Sequence, residues 1–260
     1  MKLTVLTENV AGGAFLAEHG LSYLLEHQGE QLLFDTGHSD VFLHNAELLG
    51  IDVQKDVDTV VLSHGHWDHG DGLSFLQDKV LYCHPLVFME RYRRLDKTYL
   101  GLKLSKSEVV KRFDLRTSIS PIEVKPGVIF LGEIPRLNDF EAQQTPFLDR
   151  NNNPDFILDD SALAIKDGDE LIVVTGCSHS GICNIVDYAI RVTGLKKVRT
   201  VIGGFHLKKD DDVTAMSVAH LKEIGVKHVY PTHCTALEAL TVFVREFGAQ
   251  QVKTGMVIEL

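Results

Sequence analysis

The segment Ser63-His64-Gly65-His66-Trp67-Asp68-His69-Gly70 constrains this chain more than any other feature. It follows the apolar run Thr59-Val60-Val61-Leu62, so four metal-ligating side chains crowd the end of one strand. Imidazole nitrogens and carboxylate oxygens hold zinc at about 2.0–2.2 Å and also accommodate iron or manganese. In a tight turn, His64 and His66 can face one ion while Asp68 and His69 face a second. Two ions about 3.5–4 Å apart then share a hydroxide. The remaining donors must come from distant sequence, brought to the same strand end by the fold.

The rest of the chain reads as an α/β protein. Short β-rich runs recur at 3–6 (LTVL), 31–37 (QLLFDTG), 79–84 (KVLYCH) and 127–134 (GVIFLGEI). Asp167-Gly168 has the chemistry of a tight hairpin turn, and VRTVIGG and HVYPTH are strand-like. Between these later strands the period changes to 3.6. Ile182, Ile185, Val186, Ala189 and Ile190 predict an amphipathic helix ending near Gly194. A second helix is expected after Asp210-Asp211-Asp212, whose carboxylates suit a helix N-terminus. A third is expected after Thr235, with Ala236, Leu240, Phe243, Val244 and Phe247 on its buried face. Residues 1–260 are expected to form a single domain, with the irregular stretch from about 85 to 158 inserted over the mouth of the site.

Composition removes several classes. With 44% hydrophobic and 24% charged residues, the chain is neither disordered nor fibrous. A net charge of −10 disfavours a nucleic-acid partner, and no apolar run is long enough to span a bilayer. The opening MKLTVLTENVAGG reads as a strand and Gly turn, which argues against export. Cys83, Cys177, Cys183 and Cys234 form no CxxC pair, so reduced thiols in a cytoplasm fit best.

Preceded by Leu33-Phe34-Asp35-Thr36-Gly37, the His-x-His-x-Asp-His segment resembles the metallo-β-lactamase superfamily, and the likeness extends over nearly the whole chain. Gly20-Leu21-Ser22, Thr175-Gly176-Cys177-Ser178-His179-Ser180-Gly181, Gly203-Gly204-Phe205-His206-Leu207 and Pro231-Thr232-His233-Cys234-Thr235 resemble the branch named for a dihydropterin ribofuranosylaminobenzene-phosphate synthase. The resemblance implies a four-layer αβ/βα sandwich, two mixed sheets face to face with helices outside. It implies that His233 completes the second metal with Asp68 and His69, and His179 is the best candidate to finish the first.

The chain departs from the superfamily pattern at two places. Where many members carry a bridging aspartate it reads Thr175-Gly176-Cys177, so either Cys177 contributes a thiolate or His179 takes the ligand role. His179 is preferred, because a thiolate would favour softer ions and expose an oxidisable sulfur. The usual third histidine before the SALAI strand is missing; Asp159 and Asp160 stand there, and Asp160 is a lesser ligand candidate. His206, after Gly203-Gly204, is assigned to substrate contact or proton transfer, with ligation as a lesser role. Asp35 is expected to accept a hydrogen bond from a ligating imidazole. His38 is set at the rim, and His19, His27, His44, His84, His220 and His228 are read as ordinary residues.

Such a site suits a metal-dependent hydrolase with two divalent ions, zinc first and iron or manganese as alternatives. Asp68 would orient the hydroxide and His206 protonate the leaving atom. Residues 90–126 carry ten basic against five acidic side chains, which points to a small anionic, phosphate-bearing substrate. Tyr92 and Tyr99 offer rings to stack on an aromatic one. The competing readings are a transferase condensing a pterin with a phosphoribosyl-aminobenzene, an iron-dependent redox enzyme, and a noncatalytic metal-bound sensor. Homodimerisation is compatible with the sequence but specified by no motif.

Overall fold

The structure is a computed structural model that describes residues 1–260. One sheet contains β1 (Lys2–Thr7), β2 (Ser22–His27), β3 (Glu30–Phe34), β4 (Thr59–Val61), β5 (Lys79–Cys83), β7 (Phe113–Thr117) and β15 (Val257–Glu259), in the order β15-β1-β2-β3-β4-β5-β7. The other contains β8 (Ile122–Lys125), β9 (Val128–Phe130), β11 (Ala162–Asp167), β12 (Glu170–Thr175), β13 (Lys197–Gly204) and β14 (His228–Thr232), in the order β14-β13-β12-β11-β9-β8. A separate ribbon pairs β6 (Arg91–Arg93) with β10 (Phe147–Asp149).

Alternation along the strands sends every second residue to each face. Tyr23, Leu25, Leu32, Phe34 and Val61 of the first sheet meet Leu163, Ile165, Ile172, Val174 and Ile202 of the second in one buried cluster. The opposite face of the first sheet, through Leu24, Leu33, Val60 and Leu81, packs on α1 (Val41–Leu48), α2 (Val53–Asp56) and α4 (Lys106–Arg112). The opposite face of the second, through Ala162, Ala164, Leu171 and Val173, packs on α5 (Ile182–Thr193), α6 (Asp212–Ile224) and α7 (Leu237–Phe247). This is the expected four-layer sandwich with two mixed sheets face to face. The short helix α3 (Trp67–Gly70) belongs to the site.

Both sheets are parallel where it matters. β3, β4, β5 and β7 run together in one, as do β12, β13 and β14 in the other. Loops at the carboxyl ends of such strands are the natural binding edge of an open α/β sheet. No helix is long and apolar enough to cross a membrane.

Local expectations hold in part. Helix α5 starts at Ile182, buries Ile182, Ile185, Val186 and Ala189, and ends at a left-handed Gly194; α6 begins at Asp212 with the Asp211 side chain capping Thr214 N. The α7 face differs: its fully buried residues are Ala239, Val242 and Phe243, while Val244 is exposed. Ala236 is the N-cap rather than part of the stripe, so the core-facing row begins later and is rotated. The stretch 85–158 is not one insertion, because β7, β8 and β9 are strands of the two main sheets. What reaches the mouth is Arg93 and Phe147 of the β6–β10 ribbon, Leu100, the segment 140–146 leading into β10, and Phe156 and Ile157 beyond it.

Candidate metal centre

After β4 the chain bends at Ser63 and Gly65, and His66, in extended conformation, is the N-cap of the short helix α3, so His64, His66, Asp68 and His69 are gathered within one turn. The turn works only because Gly65 has no side chain: a Cβ there would collide with the carbonyl of Val87. The His64 and His66 rings approach nitrogen to nitrogen at 2.9 Å. His179, beyond β12, stands 4.9 Å from both rings by centroid. One ligand atom from each of the three lies within 4.8 Å of the others.

Burial pushes all three imidazoles toward the neutral form, His66 to about 3 with help from the Arg91 charge. Neutral imidazole is the form that ligates metal. His66 Nε2 and His179 Nε2 are buried without a hydrogen-bond partner. Two orphaned nitrogens in one neutral cluster are costly unless something satisfies them, and a cation fits that donor set.

A second group gathers around Asp68. Its Oδ2 lies 3.1 Å from His19 Nε2 and 3.4 Å from His233 Nε2, while His69 Nε2 is 3.1 Å from His233 Nε2. Burial works against the Asp68 charge, yet His69, His19 and His233 outweigh it and hold the carboxyl well below its usual range. Burial likewise opposes charge on His69, but Asp35 and Asp68 push it up to about 9. Cys177 Sγ is 3.2 Å from His69 Nε2, so the thiol stands between the two groups where the sequence left Cys177 and His179 as alternatives.

The surroundings fix these side chains. Asp35 accepts from His69 Nδ1, from Ser63 N and from Ser63 Oγ, each at 2.7 Å. Gly176 lets the end of β12 approach, since a Cβ would strike Ser63 Oγ and come within 3.1 Å of Asp35 Oδ2. Asp159 accepts from Gly65 N at 2.8 Å and is gripped by both terminal nitrogens of Arg91. Asp160 accepts from Ser180 N and Oγ, and burial raises it to about 6. Asp35, Ser178, His206 and His233 all hold positive φ, between 49° and 57°. Left-handed backbone at ordinary residues costs on the order of 1–3 kcal/mol each, and here it is concentrated at the strand ends that aim the donors.

Two cavities open over the donors. One of ≈ 410 Å³ is lined by His19, Asp68, Arg93, His206, Lys208 and Cys234, among others. The other, ≈ 420 Å³, is lined by Phe140, Phe156, Phe205 and Leu207. Phe147, His179 and His206 line both.

The metallo-beta-lactamase superfamily profile matches residues 17–188. The chain belongs to the metallo-beta-lactamase superfamily. Within it, the chain is 34% identical over 285 aligned residues to the 7,8-dihydropterin-6-methyl-4-(beta-D-ribofuranosyl)-aminobenzene-5'-phosphate synthase of Methanocaldococcus jannaschii, covering 100% of this chain and 96% of the relative. An uncharacterized protein of the same organism is 31% identical, with 92% of each chain covered. The crystal structure of a metal-dependent hydrolase of the beta-lactamase superfamily, 32% identical, superposes with a TM-score of 0.87 over 100% of this chain and 99% of that one.

This superfamily member carries site residues that sequence reasoning missed. His19, an ordinary residue by sequence, contacts Asp68; the adjacent Gly20 lies so close that a Cβ there would come within 3.0 Å of the Asp68 carbonyl. Asn9 Oδ1 is 2.9 Å from His233 Nδ1, and Asn9 Nδ2 donates to the His233 carbonyl. Cys234 stands in the Pro231–Thr235 segment without an assigned role, and Phe147 has no local signal at all. Conversely, the basic stretch 90–126 delivers only Arg93 of its charges to the cleft: Arg91 is buried on Asp159, Arg116 pairs with Asp114, and Lys125 with Glu30 and Asp58. Tyr92 and Tyr99 pack on each other, edge to face. His38 is exposed and meets Trp67 edge to face.

Proposed function

We propose that this protein is a divalent-metal-dependent hydrolase of a small, phosphate-bearing, ring-containing metabolite. His64, His66 and His179 would hold one ion, and Asp68, His69 and His233 a second, zinc being the best match to nitrogen-rich donors. Ions bound there would ionise a water near neutral pH and stabilise charge developing on the substrate. The observation that carries the reading is the pair of orphaned, buried nitrogens on His66 and His179 inside a cluster that burial keeps neutral.

The protein's own groups divide the remaining work. Arg93 and Lys208 at the first cavity attract the phosphate, and the phenylalanines of the second receive the ring. Asp68 orients the attacking water. The water's oxygen forms the new bond to the electrophilic centre, its proton having passed to solvent, the ester bond breaks, and His206 donates a proton to the departing oxygen. A cytoplasmic setting agrees with the free thiols.

A condensing transferase is the second reading. It is favoured by the two cavities meeting over His179 and His206, room for two reactants side by side, and by the name of the M. jannaschii synthase. Metal-loaded protein is to be assayed against phosphomonoester, phosphodiester, lactone and thioester panels, and separately with a dihydropterin and a phosphoribosyl-aminobenzene together. Hydrolysed phosphoester supports the first reading and a joined product the second. Turnover that is unaffected by metal removal contradicts both.

A further inference from the structure

Helix α5 begins without a cap of its own. The first N–H groups of a helix have no partner inside it, and Gly181, in the capping position, has no side chain to offer. The acceptor comes from a segment 42 residues upstream. Glu141 Oε1 accepts from Cys183 N and Oε2 from Asn184 N, each at 3.0 Å, and the side chain is buried. Hydrogen bonding and the helix dipole both favour a carboxylate at this end. Gly181 leaves it room: φ there is 98°, and a Cβ would fall 2.4 Å from Glu141 Oε2.

The grip is reciprocal. Asn184, fully buried in the first turn of α5, accepts through Oδ1 from Leu137 N at 2.7 Å and Asn138 N at 3.1 Å. Its Nδ2 donates to the Ser180 carbonyl at 2.8 Å. Asn138 steadies the acid, donating from Nδ2 to Glu141 Oε2 at 2.7 Å and accepting from Glu141 N at 2.9 Å.

Each side of this clasp leads to a different part of the cleft. Directly before Gly181 runs Ser178-His179-Ser180, which places the His179 imidazole. After Glu141 the chain turns at a left-handed Ala142, φ 54°, and continues along the wall of the phenylalanine cavity to Phe147, whose ring stands 5.3 Å from that of His179. Both oxygens of Glu141 are engaged, so it acts through what it holds. We propose that Glu141 is a positioning residue: by clasping the start of α5 it sets the cavity wall 140–147 and the loop of His179 as one unit, fixing the ring-binding shape and that metal donor together. The proposal rests on the reading that His179 ligates an ion and that the phenylalanine cavity receives the ring of the substrate. Because α5 still buries Ile182, Ile185, Val186 and Ala189, loss of the clasp should loosen the wall and the loop without unfolding the helix.

Glu141→Gln keeps the volume, removes the charge and turns an NH2 group toward one of the two amides. The protein is loaded with cobalt(II), and the paramagnetically shifted imidazole protons of the ligating histidines are read by proton NMR. The resonance missing from His179→Ala marks His179, and the one missing from His233→Ala marks the other group of donors. In Glu141→Gln the His179 resonance should shift or broaden while that of His233 stays in place. Affinity for the weakened cobalt should fall by about tenfold or more, the low end of what loss of a ligand's outer partner costs. Ala189→Gly weakens the same helix two turns further on and should move neither resonance, which separates positioning from stability at large. With phenyl phosphate as substrate, Glu141→Gln should lower kcat and raise KM together, whereas Phe147→Ala raises KM alone. If circular dichroism shows that Glu141→Gln does not fold, Asn138→Ala, which frees Glu141 from the strap side, takes its place with the same expected shift. An unchanged His179 resonance, or an equal shift in Ala189→Gly, would overturn the clasp alone. A native protein with no shifted resonance would contradict the metal centre itself.

Discussion

Asp35 Oδ2 accepts a hydrogen bond from His69 Nδ1 at 2.7 Å, and the same carboxylate holds Ser63 through both its N–H and its hydroxyl. One fully buried acid at the end of β3 thereby sets the ring plane of His69 and the start of the histidine turn together. It leaves Nε2 of His69 as the free donor, 3.1 Å from His233 Nε2.

Replacing Asp35 with Asn keeps the volume but removes the charge and one acceptor. Metal affinity is expected to fall about 10–100-fold, the range seen when the partner of a ligating histidine is lost. Chelator competition on the folded variant measures it; an affinity within twofold of the native value would show that His69 is held by packing alone.

Gly65→Ala should be severely destabilising. The new methyl group would run into the Val87 carbonyl, a backbone atom that cannot swing aside, so the turn carrying His64 and His66 must move. Overpacking of this kind costs about 1–3 kcal/mol or more. Urea unfolding gives the number, and a midpoint unchanged from the native chain would mean that the 85–88 segment yields easily.

Arg91 and Asp159 form a fully buried pair, with Asp159 also accepting from Gly65 N. Arg91→Met leaves a carboxylate stranded and should cost about 3–5 kcal/mol, much of it recovered in Arg91→Met with Asp159→Asn. The pH dependence follows from the same pair. Burial alone would raise Asp159, but Arg91 outweighs it and lowers the folded value. The stabilisation is therefore fully present above the unfolded carboxyl range of about 3.9 and is lost as pH falls through the lower folded value. Denaturation midpoints between neutral and acid pH should show this loss in the native chain and not in the double variant.

Phe147 stands between the two cavities, its ring 4.8 Å from His66, 5.3 Å from His179 and 6.4 Å from His206. Phe147→Ala should merge the cavities and raise KM for ring-bearing substrates by on the order of tenfold, the scale of about 1–2 kcal/mol of lost aromatic contact. A change confined to kcat would point instead to disturbed histidines.

The amino-acid sequence discloses most where chemistry is local. His64, His66, Asp68 and His69 are readable because one turn holds them, and His179 and His233 because each follows an apolar strand. Asn9 and His19 arrive from the β1–β2 connection and Phe147 from β10, and their meeting with the histidine turn depends on strand order, which no spacing encodes. The basic stretch 90–126 is legible as charge but not as location: of its ten basic side chains only Arg93 lines the cleft, while Arg91, Arg116 and Lys125 are held in ion pairs with Asp159, Asp114, Glu30 and Asp58. For α7, periodicity announces a helix, whereas its buried row depends on where the N-cap falls.

The proposed function requires His64, His66, Asp68, His69, His179 and His233 to act together as a working metal centre. The most direct test is metal content per chain on protein purified without chelator, with turnover of the phosphoester panel measured before metal removal, after it, and after metal is restored. Two ions per chain are expected, with loss of turnover on removal and its return on reconstitution. Less than one ion per chain, with none taken up on reconstitution, would contradict it.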